Sequence, residues 1–288
     1  MGLLEVLRKA REKRGAAIMA VLNVTPDSFS DGGLYVEPAT AERRIEELLN
    51  QGADIIDVGG ESTRPRALPV PATEQLRRIL PAVRHAAGLG AVVSVDTASA
   101  EVARAVMGEG AQLINDVSCL EEPTLAAVVA AHQGWLVLMH SRGSLAQRQM
   151  AGFSAYPEDA YDDIVARVTF EWSQAREQAQ AVGLSASQLF FDPGLGFAKS
   201  ARHSWEILTR LREFQTLGVP IVTGPSRKSF IAALDASAPA ERLGGTIACS
   251  ILSAQRGASV VRVHDVQPVA QAFAAMRQAD PNFGGVGV

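Results

Sequence analysis

The chain has 288 residues, 47% of them hydrophobic and 20% charged, and a formal net charge of −4. Such a length suits one barrel of alternating strands and helices, typically ~250 residues, or two small domains, and it can bury a core without disulfides. The mild acidity, with no block of Lys or Arg, argues against a nucleic-acid partner, and two cysteines, Cys119 and Cys249, without a CxxC pair argue for a reducing compartment, the cytoplasm.

Along the chain, residues 1–17 are charged from Glu5 onward, so no secretory leader is expected, and no run of ~18 apolar residues offers a membrane span. Short apolar runs then recur at 17–24, 54–60, 91–97, 113–118, 134–140, 188–194, 219–224 and 258–265. Each is too short for a helix and apolar almost throughout, as a strand buried on both faces is. Helical spacing fills the intervals. In 40–52, Ala41, Ile45, Leu48 and Leu49 share a face opposite Glu42, Arg43, Glu46 and Glu47. Segment 99–109 gathers Val102, Ala105 and Val106, and 157–182 carries Ile164, Val168, Trp172 and Ala175. Unbroken strand–helix alternation predicts an α/β protein, a single (β/α)8 TIM barrel over 1–288. The alternative, an open doubly wound sheet, would show G-x-G-x-x-G after its first strand, and none is there. Residues 280–288, with three glycines, read as a frayed tail.

In such a barrel the chemistry belongs to the C-terminal ends of the strands, and polar residues collect there. The runs end in Asn23, GGESTRP (59–65), Asp96, Asn115-Asp116, Met139-His140, Asp192-Pro193-Gly194, GPSRKSF (224–230) and Arg262-Val263-His264. Each also has an ordinary reading. Asp96, Asn115 and Asp116 could cap helices, and Asp192-Pro193-Gly194 could be a plain turn. His140 and His264 lack metal-ligand spacing such as HExxH. Cys119 and Cys249 read as apolar fillers, Trp172 and Trp205 as packing. Ser226-Arg227-Lys228-Ser229 beside Arg262 and His264 is harder to dismiss, because the loops after strands seven and eight of a barrel often grip an anion, here a diphosphate.

At these residues the chain closely resembles the dihydropteroate synthase family. The match is an ordered series: LNVTPDSFSDGG (22–33), DIIDVGGESTRP (54–65), SVDT (94–97), INDVS (114–118), LMH (138–140), DPGLGF (192–197), SRKSFI (226–231), ERLGGT (241–246) and RVHDV (262–266). The resemblance implies condensation of 6-hydroxymethyl-7,8-dihydropterin pyrophosphate with p-aminobenzoate to give 7,8-dihydropteroate and pyrophosphate. It implies a pterin site at Asp96, Asn115, Met139, Asp192, Lys228 and Arg262. Pyrophosphate falls to Asn23, Thr63, Arg64, Arg262 and His264, with Mg2+ near Asn23. The p-aminobenzoate site falls to Phe29, Thr63, Pro65, Phe197, Lys228 and Ser229. Lys228, Arg262 and Asp96 carry the catalytic roles. The family also implies small-molecule substrates alone, sulfonamide inhibition and a homodimer.

Four positions depart from the family pattern. Arg66 and Ala198 stand where glycine is usual, Ser204 where Asn is usual after His203, and 140–150 lacks a customary proline. If position 198 has positive φ, alanine costs ~1–2 kcal/mol there. Every assigned ligand residue is present, which favours an active enzyme over a degenerate pterin-binding paralogue. The SRKSF and STRP loops favour it over a pterin-binding methyltransferase domain that works with a corrinoid partner. Gly244-Gly245 implies close approach of a helix, within or between chains.

Overall fold

Each apolar run is a strand, and the strands close on themselves. The computed structural model describes residues 2–25, 38–61, 70–143 and 157–284. Within these lie β1 (Ala17–Asn23), β2 (Ile55–Gly59), β3 (Val92–Asp96), β4 (Leu113–Asp116), β5 (Trp135–Met139), β6 (Leu189–Asp192), β7 (Ile221–Thr223) and β8 (Ala258–Val263). Neighbours pair in parallel in chain order and β8 pairs with β1, so the barrel is closed and the open-sheet alternative is excluded. Helices α2 (Pro38–Asn50), α3 (Ala72–Gly88), α4 (Ala100–Gly108), α5 (Thr124–Ala131), α6 (Ile164–Ala181), α7 (Ala201–Thr209), the short α8 (Ser229–Ala232), α9 (Leu243–Gln255) and α10 (Val266–Ala279) form the wall. Among the described residues no helix is long and apolar enough to cross a membrane.

The period-2 alternation of a strand splits the apolar residues into two cores. Ile18, Ala20, Leu22, Ile56, Val58, Val93, Val95, Leu136 and Leu138 face outward and pack under the helices. Ala17, Met19, Ile55, Val92, Leu113, Val137, Phe190, Val222 and Val260 fill the barrel. Strand register sets the layers: Met19 lies opposite Ile55 and Ile55 opposite Val92, and two residues on, Val21, Asp57 and Ser94 make the next layer. The interior therefore passes from apolar to polar within one step of the pleat.

Helix α1 (Leu3–Arg14) was not foreseen. Its Leu3 and Ala10 join the inner apolar cluster. Arg14, 5% exposed, ion-pairs with Asp54 and donates to the Gly52 carbonyl at 2.7 Å. Dense charge on its solvent side concealed an amphipathic helix. Helix α6 starts later than the run 157–182 implied, because Asp163 caps it by accepting from the backbone N–H of Val165 and Ala166 at 2.9 and 3.1 Å. Trp172 is fully buried and donates to the Leu138 carbonyl at 2.9 Å, while Trp205 meets Phe230 edge-on.

The expected frayed tail needs correction over 280–284. Phe283 is 1% exposed, lies 5.6 Å from the Phe273 ring, and has its carbonyl held by Arg277 at 2.9 Å. A side chain on Gly15, whose φ is +88°, would come within 2.7 Å of the Phe283 ring, so glycine there makes room for the anchor. Counting glycines missed the one aromatic that ties the segment down. Truncating a fully buried Phe typically costs ~3–5 kcal/mol, so Phe283→Ala is expected to lower unfolding stability by about 3 kcal/mol. Urea denaturation measures it, and a loss below about 1 kcal/mol would mean that 280–284 contributes little.

Candidate active site

One step above the apolar layer, inward-facing strand positions turn polar. Asp57, fully buried, accepts from the Ser94 hydroxyl at 2.5 Å, the Asn115 amide at 3.3 Å and Arg262 Nε at 2.6 Å. The other arm of the Arg262 guanidinium donates to Asp96 at 2.9 Å. A buried carboxylate is tolerable only with such compensation. Burial opposes the charge on Arg262, but Asp57 and Asp96 outweigh it and hold its pKa above the ordinary value. Burial raises Asp96 to about 7 despite Arg262, with Asp57 adding to the rise. Asp57 was missed from sequence, where it looked like strand interior. The available signal was a lone acid inside an apolar run, two residues before the strand-end Gly59.

Asp192 lies at the end of β6 and accepts from the Gly194 N–H at 2.7 Å, so the turn reading and a site role coexist. Burial lifts it to about 6, against the pull of that N–H and of Lys228. Lys228, pressed down to about 7 by burial and then by Arg262, sits 3.6 Å over the Phe197 ring. Phe197 packs with Met139 and Val117 in a small apolar cluster of its own. Asp96, Asn115, Met139, Asp192, Phe197, Lys228 and Arg262 are thus linked in one mouth. Ser229 opens α8 directly after Lys228. His264 stands beyond Arg262 against Ser226, whose hydroxyl is 3.0 Å from its Nδ1. Asn23 ends β1, and Gly59 leaves room for its amide: a Cβ there would lie 3.2 Å from Oδ1. Phe29, Thr63, Arg64 and Pro65, together with Arg66, lie outside the described residues.

Other motif residues support the mouth. Asp116 accepts from the Ser118 and Leu120 N–H groups, a turn role. His140 is fully buried outside this linked set; its Nε2–H donates to Glu171 at 2.9 Å and its Nδ1 accepts from Lys199 at 2.9 Å. Burial and then Lys199 press His140 down to about 3, so it is neutral. Lys199, also fully buried and lowered by that burial to about 7, donates further to the carbonyls of His140 and Phe197 at 3.3 and 3.0 Å. All three ammonium hydrogens have acceptors, and they tie the end of β5 to the loop carrying Asp192 and Phe197. Partial burial works against Glu171, but Arg142 and His140 hold it at about 2. Sequence reasoning assigned Lys199 nothing.

The motif ERLGGT supports the SRKSFI loop. Arg242 donates to the Arg227 carbonyl at 2.8 Å, and Thr246 accepts from the Arg227 N–H at 3.0 Å. Gly245 packs against Ile231, where a Cβ would clash, whereas Gly244 has nothing within 4 Å. At Gly245 the close approach is therefore within the chain. Of the departures, Ser204 is buried, accepts from the Gly196 N–H at 3.1 Å and donates to the Ser200 carbonyl at 3.0 Å. Ala198 has φ +47°, the left-handed backbone anticipated for it, and its carbonyl accepts from Tyr161 at 2.9 Å.

A family model described as "Pterin binding enzyme" matches residues 19–264. The dihydropteroate synthase of Escherichia coli K12 is 41% identical over 258 residues, 89% of each chain. A probable bifunctional folylpolyglutamate synthase/dihydropteroate synthase of Haloferax volcanii is 40% identical over 93% of this chain, which spans 31% of that protein. Among solved structures, a Clostridium difficile dihydropteroate synthase obtained with pteroic acid superposes with TM-score 0.84 at 35% identity, covering 93% of this chain and 98% of that one. A Yersinia pestis dihydropteroate synthase in complex with a sulfonamide drug gives 0.84 at 35% identity, covering 93% and 95%.

The strain at Ala198 is measurable. Releasing a left-handed alanine gains ~1–2 kcal/mol, and the added chain freedom of glycine takes back ~0.5–1 kcal/mol. Ala198→Gly is expected to stabilise the protein by about 0.5 kcal/mol in urea denaturation; a loss of stability would mean that the buried methyl outweighs the strain.

Proposed function

This chain belongs to the dihydropteroate synthase family of pterin-binding enzymes, and we propose that its barrel mouth joins 6-hydroxymethyl-7,8-dihydropterin pyrophosphate to p-aminobenzoate. The observation that carries the reading is the set Asp96, Asn115 and Asp192 on rigid strand ends, with Lys228 on the loop after β7, around an arginine already paired to carboxylates. An aminopterin edge offers paired N–H donors that a carboxylate accepts, and Asn115 supplies both a donor and an acceptor. Met139 and Phe197 give the ring apolar contact.

The reaction needs no protein nucleophile. The C–O bond at the pterin methylene breaks with its electrons leaving on pyrophosphate. The lone pair of the p-aminobenzoate amine forms the C–N bond, and the amine loses a proton to solvent or to the departing phosphate. Arg262, with His264 at the rim, stabilises the leaving charge, and Lys228 donates to the pterin while its stem flanks the p-aminobenzoate site. Phe197 and Ser229, with Phe29, Thr63 and Pro65, complete that second site, and Thr63 and Arg64 the phosphate site. Sulfonamides, which copy the shape and charge of p-aminobenzoate, compete there.

Mg2+ belongs to the same reading. Among the described residues no group of three or more His, Cys, Asp or Glu could hold a metal. The Asn23 amide oxygen alone suits an ion that keeps most of its waters and arrives with substrate phosphate. When bound, it neutralises charge on the leaving group. A homodimer in the cytoplasm completes the proposal.

Two measurements test the reading. Pyrophosphate is released only when both substrates and Mg2+ are present; full release in excess chelator would remove the metal, and none under any condition would remove the activity. The second is pH dependence. Burial raises Asp192 to about 6, and the pterin needs its ionised form, so ligand and proton compete. Pterin affinity is expected to hold steady well above pH 7 and to fall up to about tenfold per pH unit below about 6. Asp192→Asn binds more weakly and loses this lower part of the slope in calorimetry; an unchanged slope would take Asp192 out of the pterin site.

A further inference from the structure

The loops after β7 and β8 are joined by two successive side-chain pairs. Arg227 makes a two-armed ion pair with Asp265, at 3.0 and 2.6 Å. One residue back on each loop, the Ser226 hydroxyl oxygen accepts the backbone N–H of His264 at 3.2 Å and lies 3.0 Å from that ring's Nδ1. Arg227 has φ +60°, and its backbone is fixed on both sides, by Thr246 at its N–H and by Arg242 at its carbonyl. The serine oxygen is therefore held in register with the histidine.

The proton count on this pair has one satisfactory solution. Ser226 is 4% exposed, and among the described residues its only hydrogen-bonding partners are the backbone N–H and Nδ1 of His264. The backbone N–H can only donate. Among the described residues the hydroxyl hydrogen then has one acceptor in reach, Nδ1. Were Nδ1 itself protonated, a buried hydroxyl would be left with an unbonded hydrogen, at a cost of ~1–3 kcal/mol. With Nδ1 as acceptor, the ring proton of neutral His264 resides on Nε2. The ring is neutral because burial, then Arg262 and Arg227, press its pKa down to about 3. A neutral imidazole presents either an N–H or a lone pair at Nε2, and only the N–H attracts an anion.

We propose that Ser226 is a positioning residue that fixes His264 in its Nε2–H tautomer, so that the ring offers a neutral N–H donor to the departing pyrophosphate. This rests on the phosphate role given to His264 above. It assigns a use to the first serine of the SRKSFI motif, which touches no substrate in that reading. Arg262 supplies charge to the leaving group, whereas His264 supplies direction: a donor that stays neutral across physiological pH and needs no proton taken up.

Nitrogen-15 NMR of the full-length, histidine-labelled protein reads the tautomer directly from the ring-nitrogen shifts. In the free protein His264 is expected to carry its proton on Nε2. In Ser226→Ala it becomes a mixture or moves to Nδ1, and affinity for inorganic pyrophosphate with Mg2+ falls about tenfold. Binding of a pterin without phosphate stays at the native value, which shows that the mouth is folded, and Ser226→Thr restores both tautomer and affinity. A proton on Nδ1 in the native protein, or an unchanged tautomer in Ser226→Ala, overturns the proposal. His264→Ala separates it from the underlying reading: if that variant binds pyrophosphate normally, the phosphate role is lost and with it the donor role of Ser226, whatever the tautomer.

Discussion

The buried pairing of Asp57 with Arg262 is the constraint from which the mouth of the barrel is organised. Met19 pairs with Ile55 on one side and with Arg262 on the other, so the arginine leaves the wall level with the apolar layer, one step below Asp57. Its side chain must climb that step to reach Asp57 and then fork to Asp96. A lysine could supply the charge, but not two donors at fixed angles to separate carboxylates. Removing Asp57 would leave the arginine short of a buried counter-charge, a change that typically costs several kcal/mol. The same carboxylate orients Asn115 and is braced by Ser94, so four strands (β2, β3, β4 and β8) meet at one oxygen pair.

The other motifs divide into residues that face the mouth and residues that hold those in place. Lys199 spends all three of its donors on the backbone and ring behind Asp192 and Phe197. Arg242, Thr246 and Gly245 do the same for the loop that presents Lys228. The supports lie behind the substrate positions and are as buried as they are. Spacing cannot tell the two classes apart, because both are polar residues in or beside the segments that build the mouth. Only hydrogen-bond partners distinguish a donor committed to a backbone carbonyl from one aimed into the opening.

The strands were legible because a strand buried on both faces leaves an apolar run with few alternatives, and their order followed from handedness and chain continuity. Asp96, Asn115, Asp192, Lys228 and Arg262 were legible because polar groups end those runs. Asp57 was not: it sits within a run, and its justification is Arg262, 205 residues away in sequence. Helix α1 escaped because its apolar stripe is narrow and its charges many, and Phe283 because a single aromatic outweighs the glycines around it. These misses share a cause. Each depends on a partner distant in sequence, which periodicity does not report. The start of α6 is a different case, decided by the local capping of Asp163.

The departures from the family pattern bear on whether the mouth still works. Ala198 and Ser204 touch the 192–197 loop from behind. The left-handed turn at 198 is kept despite its methyl, since Tyr161 binds the carbonyl and Lys199 holds the carbonyl of the preceding Phe197. Ser204 reaches the Gly196 N–H with its own hydroxyl. Strain and substitution are therefore absorbed on the helix side of the loop. On the barrel side, Asp192 keeps its turn bond to Gly194, and Phe197 keeps Met139 beneath it and Lys228 above it. A chain released from selection for turnover would be free to lose charge where charge is expensive. Here the costly groups, a fully buried Asp57 and the paired Arg262 and Asp96, are intact and mutually satisfied, while the changes at Ala198 and Ser204 fall where a neighbouring hydrogen bond can make them good. That distribution favours a working enzyme over a degenerate paralogue.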